Sequence, residues 1–89
     1  MDRLYANTIR HFREMFSLTQ AELKMLSGIS QSELSKLEDG SRWPRKKAIF
    51  RLCKAFGIST REFFTYMKDD LARQLKTSWI EPEEGDYDD

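Results

Sequence analysis

Apolar residues recur at helical spacing from the start of the chain. Leu4, Tyr5, Ile9, Phe12 and Phe16 fall at steps of one, four, three and four, which predicts a first helix over about residues 3–16, broken at Ser17. Thr19-Gln20-Ala21-Glu22 then has the form of a capping box, a hydroxyl at the N-cap and a carboxylate three residues on. Leu23 and Leu26 supply the inward face of a short second helix, closed by Gly28, a residue free to take the left-handed conformation. Ser30-Gln31-Ser32-Glu33 opens a third helix with Leu34 and Leu37 inward and Asp39-Gly40 at its end. Pro44 suits the beginning of a helix, and Ala48, Ile49, Leu52, Cys53 and Phe56 form a fourth stripe up to Gly57. Ser59-Thr60-Arg61-Glu62 repeats the capping signature, after which Phe63, Phe64, Met67, Leu71 and Leu75 carry the periodicity to about Lys76.

These elements predict an all-α fold, a compact bundle of about five helices with an extended C-terminal helix. Two short helices joined by a glycine-containing turn make a helix-turn-helix pattern. Residues 1–66 are read as the folded domain, 67–80 as a helical extension and 81–89 as an acidic tail whose composition, with Pro82 and Gly85 among acids, reads as disordered. Phe63 and Phe64 are expected to plug the core. Met67, Leu71, Leu75 and Trp79 continue at steps of four as an apolar stripe that either folds back on its own subunit or, in the preferred reading, pairs with a second copy as a dimerisation surface.

Charge changes the picture of partners. The 89 residues hold 15 basic and 15 acidic side chains and so sum to zero. Residues 1–80 carry every base and nine acids, a net +6, whereas residues 81–89 carry the other six acids, a net −6. Arg42, Arg45, Lys46, Lys47, Arg51 and Lys54 lie in a stretch without one acid, a block suited to a polyanion or to a solvated helix face. The tail could compete for that same surface or recruit a basic protein partner.

Catalytic and metal chemistry find little material. Cys53 and His11 are each the only one of their kind, so neither a disulfide within the chain nor a Cys/His metal site is expected, and Cys53 reads as a small core residue. No phosphate-cradling glycine loop and no Ser/His/Asp set is present, so we expect no enzyme, no cofactor and no small-molecule ligand. No run of membrane-spanning length and no signal-peptide pattern occurs, which predicts a soluble cytoplasmic protein.

Five blocks together resemble a known family. Gln20-Ala21-Glu22-Leu23, Ser27-Gly28-Ile29-Ser30, Leu34-Ser35-Lys36-Leu37-Glu38-Asp39-Gly40, Pro44 and Ala55-Phe56-Gly57-Ile58-Ser59 are similar, in order and spacing, to the Cro/C1-type (Xre-family) helix-turn-helix domains of phage repressors and bacterial regulators. The resemblance covers about residues 8–66 and implies a lambda-repressor-like bundle that binds operator DNA. It implies that the third helix enters the major groove with Gln31, Ser32, Ser35 and Lys36 toward base edges. Glutamine suits adenine N6 and N7, and lysine suits guanine or a phosphate. Gln20 is implied to reach a phosphate while bracing that helix, and Ser30 to cap it with a further phosphate contact. Arg42, Trp43, Arg45 and Lys46 are implied to grip the sugar-phosphate backbone, helped by N–H donors at a helix start. Glu33 is assigned to the cap on Ser30, with acceptance from a cytosine amino group as the alternative. Arg13 and Glu38 match a partly buried salt bridge, whose loss would cost ~3 kcal/mol or more if truly buried.

The chain departs from the pattern at Lys24, where alanine is usual, and at Leu26, where a polar residue is common. The lysine stem is expected to loosen the packing of the two helices of the motif. The leading expectation is therefore a homodimeric, sequence-specific transcriptional regulator, probing two half-sites about one helical turn apart. Repression is its expected action, and a protein-interaction module or antitoxin-like regulator on the same fold, with another protein as main partner, is the alternative.

Overall fold

In the computed structural model, described for residues 3–78, five helices follow one another: α1 (Leu4–Met15), α2 (Gln20–Ser27), α3 (Gln31–Asp39), α4 (Lys46–Phe56) and α5 (Thr60–Ser78). Ile9 and Phe12 of α1, Leu23 of α2, Leu34 and Leu37 of α3, Leu52, Cys53 and Phe56 of α4 and Phe63 of α5 form one core. Every helix thus contributes its apolar stripe to the same interior, which is how so short a chain closes a core. The stacked rings of Phe12 and Phe63 and the tilted ring of Phe56 fill its centre.

Local chemistry sets the helix boundaries. Thr19 Oγ1 accepts from the Glu22 N–H while Glu22 Oε1 accepts from the Thr19 N–H, a closed capping box. Ser59 and Glu62 close a second box in the same way. Gly28 ends α2 at φ 75°, a left-handed conformation costly for a residue with a Cβ, and lets the chain turn into α3 within three residues.

Several expectations about facing need correction. Leu26 is 57% exposed, and the inward residue of that turn is Ser27. The buried face of α2 is one row wide, Leu23 and Ser27 four apart, and Leu26 lies about 60° off Leu23 at 100° per residue. Lys24 is also exposed, so its stem does not stand between the two helices of the motif. Phe64 does not plug the core: adjacent residues of a helix diverge by about 100°, so Phe63 is fully buried while Phe64 lies at the margin against Tyr5. Phe16, just past the end of α1, is half-exposed and packs its ring on Phe56. Along α5, Met67 and Leu71 are half-buried and Leu75 is exposed. Trp79 and the acidic tail fall outside the described residues.

Cys53 is buried in the core, and burial pushes its thiol up, against ionisation. Among the described residues no group of side chains could hold a metal ion, and no helix is long and apolar enough to cross a membrane.

Candidate nucleic-acid interface

α3 is a two-faced helix. Leu34 and Leu37 are fully buried beneath it, and Gln31, Ser32, Ser35 and Lys36 are exposed on the other side. With an apolar stripe pinned inward, the remaining positions must point to solvent, so the outward set is fixed by the core as much as by itself.

The C-terminal end of α3 is held from behind. Arg13 Nε donates to Glu38 Oε2 at 2.8 Å and Nη2 to Oε1 at 3.0 Å, a bidentate pair, while Nη1 donates to the Leu18 carbonyl at 2.8 Å. Glu38 is 4% exposed, and its hydrogen bond holds the Arg13 guanidinium above its ordinary pKa. Gln20 links into the same cluster: its amide nitrogen donates to Glu38 Oε1 at 3.4 Å and its amide oxygen accepts from Ser35 Oγ at 3.1 Å. The start of α2 is thereby tied to two successive turns of α3.

Sequence reasoning missed two further arginines at this end. Arg3 and Arg10 donate to the carbonyls of Asp39 and Glu38, each at 3.3 Å. Such carbonyls lack partners within a helix and carry its negative dipole end, so cations suit them. The signal was available: residues 3, 10 and 13 share one face of a helix at spacings of seven and three. Beyond them Asp39 accepts from the Ser41 N–H at 2.8 Å, and hydrogen bonds from Ser41, side chain first and then backbone, hold its carboxyl below the usual range. Gly40 takes φ 84° between them.

The N-terminal end is open by contrast. Ser30 Oγ accepts from the Glu33 N–H at 3.1 Å, but the reciprocal half of the box is missing, because the Glu33 carboxylate accepts instead from Arg42 Nη1 at 2.8 Å. The expected closure of the Ser30 cap by Glu33 is corrected accordingly. Arg42, Trp43, Arg45 and Lys47 border a groove with Ile29, Ser30 and Glu33. Trp43 is 62% exposed, with one ring neighbour among the described residues, Tyr5 at 5.5 Å. Arg45 is the N-cap of α4 and makes no side-chain cap hydrogen bond, and both Arg45 and Lys46 are exposed at this helix start.

With this geometry in hand, known proteins place the chain. Residues 9–63 match the helix-turn-helix family. The chain belongs to the Cro/C1-type helix-turn-helix family. It is 30% identical over 64 residues to an uncharacterised HTH-type transcriptional regulator of Methanocaldococcus jannaschii, covering 72% of this chain and 97% of that one. To an uncharacterised HTH-type regulator of Sinorhizobium fredii it is 37% identical over 65 residues, or 73% and 84% of the two chains. Among solved structures it is similar to the restriction-modification controller protein C.AhdI from Aeromonas hydrophila, with a TM-score of 0.67 and 30% identity over 71% of this chain and 96% of that one. The wild-type controller protein C.Esp1396I shares the fold at a TM-score of 0.76 and 21% identity, over 81% and 94% of the two chains.

Proposed function

We propose that this protein is a transcriptional regulator that binds operator DNA sequence-specifically as a homodimer, with α3 of each subunit in a major groove. What carries the reading is the exposed edge of α3, where Gln31, Ser32, Ser35 and Lys36 stand clear of the core on a helix braced through Gln20 and Glu38. Gln31 is assigned to adenine, Lys36 to guanine or phosphate, and the two serines to tolerant contacts. Gln20, Ser30, Arg42, Trp43, Arg45 and Lys46 are assigned to the sugar-phosphate backbone, which positions the helix without reading sequence. A dimer seated over a promoter excludes polymerase, so repression is the simplest output, and the site of action is the cytoplasm. The dimer itself rests on α5, whose Met67, Leu71 and Leu75 run outward from half-buried to exposed.

The test begins with selection of binding sites from random duplex DNA. A palindromic product with half-sites about one turn apart is expected from a dimer of this kind. Five to six phosphate contacts give a log–log salt slope of about −5 in fluorescence anisotropy. Binding that ignores ionic strength would rule the reading out. Leu75→Glu should convert a dimer to monomer by light scattering.

The exposed Met25 and Leu26 favour one other reading, a protein-interaction module. Gel shifts with Gln31→Ala and Arg45→Ala decide, because that module predicts no effect on any DNA complex. Deleting residues 81–89 tests the tail: if it competes for the basic face, non-specific binding tightens most at low salt.

A further inference from the structure

Three helices of this chain open on a hydroxyl residue followed three places on by glutamate: Thr19/Glu22, Ser30/Glu33 and Ser59/Glu62. The first and third close reciprocally, the glutamate accepting from the cap N–H at 2.8 and 2.9 Å. The middle one, at the start of α3, closes only halfway and gives its carboxylate to Arg42. Local sequence preference is the same in all three, so the difference comes from Arg42, nine residues on and across the groove from α3. The pair adds little to stability, because Arg42 is 50% and Glu33 31% exposed, and pairs of that exposure are worth little in water. Its consequence lies in what it occupies. The Arg42 guanidinium is engaged before any phosphate arrives, and the Ser30 N–H is left without the carboxylate that caps the other two helices.

We infer that Glu33 is a specificity-determining residue that acts through Arg42. By holding the guanidinium, the carboxylate competes with every phosphate for it, and so lowers binding to DNA of arbitrary sequence. Release of Arg42 requires the backbone to come close enough to displace Glu33, which then has the Ser30 N–H within the reach of its own capping box. Only a duplex on which α3 seats fully brings the backbone there. Glu33 therefore subtracts more from loose complexes than from the seated one, and raises the ratio between them. The inference rests on the proposed reading that α3 faces duplex DNA.

The experiment compares wild type, Glu33→Gln, Arg42→Gln and the double variant by anisotropy on a selected site and on a scrambled duplex, each over a salt series. Glutamine keeps the shape and can still accept at the cap, but it loses the charge that holds Arg42. For Glu33→Gln, scrambled-duplex binding should tighten up to about fivefold, the upper range for releasing an exposed pair. Its salt slope should steepen by about 0.9 per bound subunit, one further counterion released. The ratio of selected to scrambled affinity should fall, with the melting temperature unchanged. In the Arg42→Gln background the same substitution should do much less. Equal tightening in both backgrounds means general charge repulsion and overturns the inference. So does an unchanged scrambled affinity, and so does a loss confined to the selected site, which would make Glu33 a base reader. If wild type binds neither duplex, the DNA reading itself fails; if it binds both with ordinary salt dependence and Glu33→Gln changes nothing, only the role of Glu33 falls.

Discussion

α3 is held at each end by an arginine–glutamate pair with a closest approach of 2.8 Å, yet the two pairs differ in kind. Arg13 and Glu38, at the C-terminal end, have side chains 17% and 5% exposed and share their cluster with Gln20 and the Leu18 carbonyl. Arg42 and Glu33, at the N-terminal end, are 50% and 31% exposed, with solvent on the groove side. A buried pair that loses one member leaves a charge stranded in a poor dielectric, at a cost of about 3–5 kcal/mol. An exposed pair trades its partner for water at a cost of about 0–1 kcal/mol. One end of the helix is therefore fixed by the fold, and the other is free to exchange partners with a ligand. On the proposed reading α3 uses both: an anchored base sets the angle of approach, and a lightly held tip can reorganise on contact.

The largest effect expected from this contrast is at Glu38. Glu38→Ala removes the acceptor of both Arg13 and Gln20 and should cost about 3 kcal/mol or more. At 4–8 °C per kcal/mol for a domain of this size, the melting temperature should drop by more than about 10 °C by circular dichroism. A drop no larger than that of Glu33→Gln would erase the distinction between the two ends.

Next comes Gln31→Ala, at the open end. Removing a bidentate base contact should cost about 1–3 kcal/mol on a selected site, roughly five- to 150-fold in affinity, and relax the preference at one base pair. Stability should not change, since Gln31 is exposed and makes no contact with the core. Arg45→Ala sharpens the same contrast from the backbone side. It should weaken selected and scrambled duplexes alike and reduce the salt slope by about 0.9 per bound subunit. A variant that lost only the selected site would make Arg45 a reader.

The anchored end was largely legible from the chain and the open end only partly so. Glu38 and its pairing with Arg13 are implied by the resemblance to the family, and Glu38 stands four residues after buried Leu34, on the same face of α3. Gln20 begins a helix whose cap is unambiguous, and its bracing of α3 is implied by the resemblance to the family. Glu33 was read as a capping residue because the local pattern at Ser30 matches that at Thr19 and Ser59. Local pattern could not report a competing cation nine residues away in sequence, whose position depends on how the chain turns after Gly40. Leu26 and Phe64 failed for a related reason. An apolar residue beside a buried one is inward only if the neighbouring helix covers that flank, and coverage is a property of tertiary packing.

The smallest effect separates the two adjacent acids at the anchored end. Asp39 follows Glu38 directly but is fully exposed, and hydrogen bonds from Ser41, with Arg3 and Lys36 adding weakly, hold its carboxyl below the ordinary 3.8. A carboxyl lower in the folded than in the unfolded chain binds fewer protons when folded, so it contributes stability above its unfolded pKa. That contribution is lost as pH falls through the lower, folded value. Asp39→Ala should thus lower the melting temperature slightly at pH 7, and the gap from wild type should close as the solution is acidified through and below the ordinary carboxylate range. Added salt should narrow the part due to Arg3 and Lys36, since both lie within reach of screening ions. A gap that survived protonation would mean that the Asp39 side chain holds the turn after α3 without its charge. The anchored end would then owe its fixity to backbone geometry at Gly40 as much as to ion pairing.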